Sequence, residues 1–225
     1  MRPLIFFPIT LLLVVGGFLL LVFLFIFIQV GLISYAYERL GISAQLIFPL
    51  LVFSLLGSSF NIPITRIESG PVTSERVVDF FGIRYVVPTL EHHEPTVIAV
   101  NLGGAVIPIC LSLYLLFSLG LVVRGLLGIA VVSLIVHRLA RPVPSVGIAI
   151  PVFVPPLVAA VTGLLLAPEH APALAYSAGT LGCLIGADLL NIPKLAGLGA
   201  PIASIGGAGT FDGIFFTGII AVLLT

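Results

Sequence analysis

Apolar residues run in long unbroken stretches along this chain, and polar residues gather between them. A bilayer crossing takes about 20 apolar residues at a rise of about 1.5 Å each. On that ruler the apolar stretches predict helices at roughly 4–36, 44–60, 97–123, 125–137, 145–166, 173–191 and 203–224. The stretch 125–137 is only about 13 residues, short enough to be re-entrant, so the expectation is six or seven crossings. Pro151, Pro155 and Pro156 predict a kink in the fifth, because proline removes rungs of the helical ladder. Residues 65–94 break the pattern. Charges recur every few positions, Ser69-Gly70-Pro71 reads as a turn, and Ile83-Arg84-Tyr85-Val86-Val87 is β-rich, which predicts a small hairpin outside the bilayer.

Composition removes the soluble alternatives. Of 225 residues, 60% are hydrophobic and 8% charged, with 9 Lys+Arg balancing 9 Asp+Glu, and the mean hydropathy is +1.31. A soluble protein of this size could not bury so much apolar surface. A cytosolic enzyme, a nucleic-acid binder and a disordered chain are therefore excluded. The expected class is an all-α polytopic membrane protein, one integral domain over 1–225 whose constant partner is the lipid bilayer. The stretch from Leu4 to Val30 is too long for the h-region of a secretory signal and reads as a retained helix. With seven crossings, seven Lys/Arg fall on the N-terminal side against two on the other. That predicts a multi-pass cell-membrane protein with a cytoplasmic N-terminus. Cys110 and Cys183 lie in apolar runs and read as small hydrophobes.

The chain also echoes itself. Leu56-Gly57-Ser58-Ser59-Phe60-Asn61-Ile62-Pro63 resembles Ile185-Gly186-Ala187-Asp188-Leu189-Leu190-Asn191-Ile192-Pro193. Asn101-Leu102-Gly103-Gly104-Ala105 is matched by Ser204-Ile205-Gly206-Gly207-Ala208. Two matches in the same order predict an internal repeat, 44–123 and 173–225. Repeat interfaces near the midplane are where transporters place their sites.

Asp188 and Asp212 are the two carboxylates inside apolar runs. An ionised Asp at a helix centre costs about 2.5–3.5 kcal/mol on insertion scales, so such acids are candidate functional groups. Counted from the helix ends, they lie at about 22 and 20 Å, nearly one depth if the two helices are antiparallel. Two close carboxylates cannot both ionise cheaply, so a pair offers an acid and a base together and can activate a water. Gly206, Gly207, Gly209 and Thr210 precede Asp212 and permit an unwound backbone. Asn191 stands three residues after Asp188, on one helical face with it. Asn101 opens the first Gly-Gly segment. The Asp and Asn oxygens suit a Na⁺ ion or an extended peptide; helix-end capping before Pro63 and Pro193 is the other reading of Asn61 and Asn191. Glu91-His92-His93-Glu94 lacks the spacing of a helical zinc motif and reads as a solvated loop. No metal and no cofactor are expected.

Arg141-Pro142-Val143-Pro144-Ser145-Val146-Gly147-Ile148 and Gly206-Gly207-Ala208-Gly209-Thr210-Phe211-Asp212-Gly213 resemble an uncharacterised family of bacterial and archaeal polytopic membrane proteins, a domain of unknown function. That resemblance covers most of the chain and implies no activity. Over two helices the chain is also similar to presenilin and signal peptide peptidase, which carry one Asp on each of two successive helices. That resemblance implies catalytic roles for Asp188 and Asp212, although Gly207-Ala208-Gly209 stands two residues too early for their Gly-x-Gly-Asp motif. Three expectations follow: an aspartyl intramembrane protease acting on transmembrane peptides; a proton- or sodium-coupled transporter of a small solute or cation using the same acids; and a non-catalytic scaffold.

Overall fold

The apolar runs become helices, the form in which a backbone shielded from water satisfies its own N–H and C=O groups. The computed structural model describes residues 9–67, 72–80, 83–91, 95–143, 147–195, 202–207 and 213–225. Its helices are α1 (Ile9–Arg39), α2 (Ala44–Gly57), α3 (Ile107–Ser118), α4 (Val122–Leu139), α5 (Val154–Leu166), α6 (Ala171–Cys183), the single turn α7 (Ile192–Leu195) and α8 (Gly213–Leu223). Three continuous helical stretches are long and apolar enough to cross a membrane: Val14–Arg39, Val122–Leu139 and Pro168–Lys194. The apolar helices Ala44–Gly57, Leu102–Ser118, Val154–Leu166 and Gly213–Leu223 are shorter.

The centre of the bundle is α6. Every residue from Ala173 to Cys183 is buried, packed between α3, α4, α5 and α8. Small side chains make this possible, because they let backbones approach closely. A Cβ added at Gly182 would stand 2.6 Å from Val132 Cβ on α4. In contrast, α1 is exposed from Val14 to Phe27, and Ala36, Tyr37 and Leu40 near its end join the core. Arg39 then ties α1 to α8 by donating to the Val222 carbonyl at 3.4 Å, a favourable place for a cation at a helix C-terminus.

Small sheets depart from the helical expectation. The strands are β1 (Asn61–Ile67), β2 (Val72–Phe80), β3 (Ile83–Glu91), β4 (Thr96–Asn101), β5 (Arg141–Val143), β6 (Gly147–Ala149) and β7 (Ile202–Ile205). β2 and β3 pair antiparallel from Val72↔Glu91 to Phe80↔Ile83, inside the polar stretch where a hairpin is expected. The runs 97–123 and 203–224, expected to be helical from their first residues, instead open as the extended segments β4 and β7. β4 is the middle strand of the order β1-β4-β7, antiparallel to β1 and parallel to β7. Its β-branched Thr96, Val97, Ile98 and Val100 favour the pleated surface, and ladders on both sides satisfy its backbone. Pro63 is tolerated because β1 is an edge strand. The run expected to be helical from residue 145 likewise contributes to the β5–β6 hairpin before α5 begins.

The run 125–137 is part of a longer helix than its apolar length implies. α4 has 18 residues because it takes in polar residues at both ends. Arg124 sits in its first turn and reaches Glu169 in an exposed ion pair, and His137 and Arg138 form its last. Long cationic side chains extend a helix in this way by carrying their charge to the polar edge.

Candidate functional site

The sheet and the break in the Pro168–Lys194 helix meet at one end of the bundle, and most of the polar candidates collect there. The register of β1 on β4 sets Asn61 opposite Asn101. Fully buried, Asn101 receives the Gly104 N–H on Oδ1 at 2.7 Å, the capping bond expected where a strand turns into a helix. Its Nδ2 therefore points the other way, donating to the Ser58 carbonyl at 2.6 Å and to Asn61 Oδ1 at 3.0 Å. This fixes the oxygen of Asn61 toward the cluster.

Ser204 on β7 completes the corner. Its hydroxyl stands 2.5 Å from Asn61 Oδ1 and 2.7 Å from the Gly207 carbonyl. A hydroxyl carries one proton, so two acceptors share one donor and the corner is rich in oxygen lone pairs. Such a corner attracts a cation or a hydrogen-bond donor.

Glycines let the three segments close on one another. After β4 the chain makes a five-residue π-helical turn, Leu102–Val106, leading into α3. A Cβ at Gly103 would lie 1.9 Å from the Ser54 carbonyl oxygen, and one at Gly104 would lie 2.0 Å from the Gly206 carbonyl oxygen. After β7, Gly206 and Gly207 adopt φ of 84° and 90°, a region that other residues enter only at a cost. The two Gly-Gly segments singled out in the sequence thus stack on each other. The two Asn-Ile-Pro copies do not share a conformation: Asn61-Ile62-Pro63 is extended in β1, and Asn191-Ile192-Pro193 is helical.

Asp188 ends a second π-helical turn, Leu184–Asp188, which continues as a 3₁₀ turn, Leu189–Asn191. π turns inside helices mark local departures that often serve function. The Asp188 carboxylate is half-buried and faces the Gly206 N–H at 3.4 Å. Asn191 is engaged differently. It donates to the Gly186 and Ala187 carbonyls, both at 2.9 Å, and accepts from Lys194 at 2.7 Å. Its amide therefore closes the carbonyls that the irregular turns leave over, the capping alternative raised by the sequence.

Asn101, Asp188, Gly206 and Gly207 thus come together, and Asn191 stands beside them as a clamp on the turn. Asp212, Gly209 and Thr210 lie outside the described residues, as do His92, His93 and Glu94. Ser204 is a polar contributor that the sequence reading passed over. Its signal was present, since Ser204 opens the second Gly-Gly segment as Asn101 opens the first. Among the described residues no group of three His, Cys, Asp or Glu is placed to hold a metal ion. Cys110 and Cys183 remain thiols. A cleft of about 450 Å³ opens where α4 ends, lined by Arg138, Arg141, Ile150 and Pro151 among others. Beside it β6 packs on the turn that carries Asp188.

The model of a family described as a protein of unknown function, DUF1614, matches residues 55–224. The chain belongs to this family. The DUF1614 match takes in the whole polar cluster, the Asp188 turn and α3 to α8, and leaves out α1 and most of α2. No curated protein and no solved structure matches the chain.

Proposed function

We propose that this DUF1614 protein is an integral membrane transporter, coupled to a proton or to Na⁺, that moves a small solute or cation past Asp188. The observation that carries the reading is the broken helix. The most buried membrane-length helix leaves α geometry at Leu184–Asp188, where the Asp188 carboxylate meets Gly206 and the stacked Gly-Gly segments. Irregular backbone at membrane depth is tolerated only where it is enclosed in protein or lines a watery passage, and transporters bind their substrates at such discontinuous helices. The oxygens of Asn61, Ser204 and Gly207 add polar contacts for the passing species. In this reading α1 to α6 and α8 make seven crossings, the strands completing the shorter helices, with the β2–β3 hairpin outside the bilayer and the N-terminus in the cytoplasm of a cell-membrane protein. The repeated motifs then supply the two stacked Gly-Gly segments.

One observation favours a second reading, an aspartyl intramembrane protease resembling presenilin. Gly206, which faces Asp188, is only six residues before Asp212, close enough in chain for the two acids to share a water. Purified full-length chain in proteoliposomes separates the two. Transport predicts proton or ²²Na⁺ movement that Asp188→Asn abolishes while the thermal midpoint in detergent stays level. Proteolysis predicts cleavage of a transmembrane reporter peptide, lost equally in Asp188→Asn and Asp212→Asn. Undiminished ion movement in Asp188→Asn would overturn the transport reading.

A further inference from the structure

Four buried hydroxyls gather inside the bundle: Tyr37 on α1, Ser54 on α2, and Tyr176 and Thr180 on α6. None is more than 1% exposed. The Tyr37 phenol faces the Ser54 hydroxyl, and Tyr176 faces Thr180 with Tyr37 nearby. Yet the hydroxyls of Ser54, Tyr176 and Thr180 lack a partner in hydrogen-bond geometry. An unpaired buried hydroxyl costs about 1–3 kcal/mol, so Ala, Phe and Val would fill the same space more cheaply. Buried hydroxyls left without a protein partner are the groups that a water bridges, and a buried water makes about three hydrogen bonds.

The cluster leads toward Asp188. Tyr176, Thr180 and Cys183 are spaced i, i+4, i+7 and share one face of α6. That face meets α8. A Cβ at Gly218 would stand 2.5 Å from Thr180 Oγ1, and Thr217 Oγ1 donates to Cys183 Sγ at 3.9 Å. In a continuous α-helix Asp188 would be rotated about 140° from Cys183. A π turn holds about 4.4 residues, so five residues advance about 410° and leave Asp188 only about 50° away. The break in the helix therefore returns the acid to the hydroxyl-bearing face, where Gly206, shortly before α8, meets it.

We propose that Tyr37, Ser54, Tyr176 and Thr180 bind water and, with Thr217 and Cys183, form a proton path along the α6–α8 seam that ends at Asp188. Each hydroxyl and water, and the Cys183 thiol, passes its proton forward as it receives one from behind, so none of them changes charge. The Asp188 carboxylate takes up the arriving proton and becomes neutral. Among the described residues, the other titratable groups at this end include His137 and Arg138 of α4, which packs against the Asp188 turn, and Lys194, bonded to Asn191. This inference rests on the transport reading and deepens it by naming H⁺ as the coupling ion.

The test uses the full chain in proteoliposomes, with two readouts. X-ray radiolytic labelling should oxidise Tyr176 well above Phe215, which is equally buried, because hydroxyl radical forms from water held beside the ring. Proton entry under an imposed pH gradient, followed with trapped pyranine, should fall at least tenfold in Thr180→Val and Tyr176→Phe. Thr180→Ser keeps the hydroxyl and should keep the flux. Ser112→Ala, whose hydroxyl is bonded off the path to Pro108, should also keep it. Labelling of Tyr176 no stronger than Phe215, or full flux in a Thr180→Val protein that melts like wild type, overturns the path. Asp188-dependent ²²Na⁺ movement without proton movement overturns this proposal and leaves transport standing, whereas ion movement indifferent to Asp188→Asn sinks the transport reading itself.

Discussion

At the scale of single residues, glycine and asparagine divide the labour of the junction. Gly103 and Gly104 are there because backbone oxygens of Ser54 and Gly206 occupy the space a Cβ would take. Alanine at either position has no flexible neighbour to push aside, and overpacking of this kind costs about 1–3 kcal/mol or more. Gly103→Ala and Gly104→Ala should therefore lower the detergent melting midpoint by several degrees, while Gly16→Ala, with nothing within 4 Å, should leave it unchanged. Asn191 and Asp188 should separate in the same assay. Asn191→Ala strands two buried carbonyls and should cost about 1–3 kcal/mol without reducing transport per folded molecule. Asp188→Asn relieves the desolvation of a half-buried carboxylate and should melt level or higher while transport is lost. A drop in melting for Asp188→Asn would make the acid a packing device.

At the scale of elements, the apolar run and the helix are different objects. The 13-residue run 125–137 understated α4, because Arg124 and Arg138 extend the helix with charges that reach its polar ends. The runs opening at 97 and 203 overstated their helices, because β-branched Val97, Ile98 and Ile205 are as apolar as helix formers. Only lateral partners decided that these segments extend. The Arg124–Glu169 pair that joins α4 to the start of α6 is exposed and contributes little under screening salt. Glu169→Gln should lower melting slightly at low ionic strength and not at all at high salt. A large loss at high salt would show the pair to be structural.

At the scale of the whole molecule, the bundle has two dissimilar ends. Arg39, Arg124 and Glu169 lie at one; the Gly-Gly junction, the Asp188 turn and the α4–β5 cleft lie at the other. In the seven-crossing reading these ends face opposite sides of the membrane. In a Cys110→Ala background, Ser74→Cys and His170→Cys should react with a membrane-impermeant maleimide from opposite faces of sealed vesicles. Labelling from the same face would remove an odd number of crossings from between them.

The sequence by itself determined the solvent and the inventory. So high an apolar fraction with so few charges leaves only a membrane-type helical protein, and an Asp in an apolar run is costly enough to stand out as a candidate functional group. Its echoing Gly-Gly segments were legible too, because glycine has few other reasons to recur in pairs. What it left undecided was partnership. Asn101 and Ser204 are far apart in chain and reach the same Asn61 oxygen only because β4 takes β7 as a parallel neighbour. Asn191 and Asp188, three residues apart, differ because one amide reaches back to its own helix and one carboxylate faces the Gly-Gly segment after β7. Periodicity describes one segment and its surroundings on average. Which segment supplies the missing donor or the missing volume is settled by tertiary packing, where two chains of backbone compete for a single space.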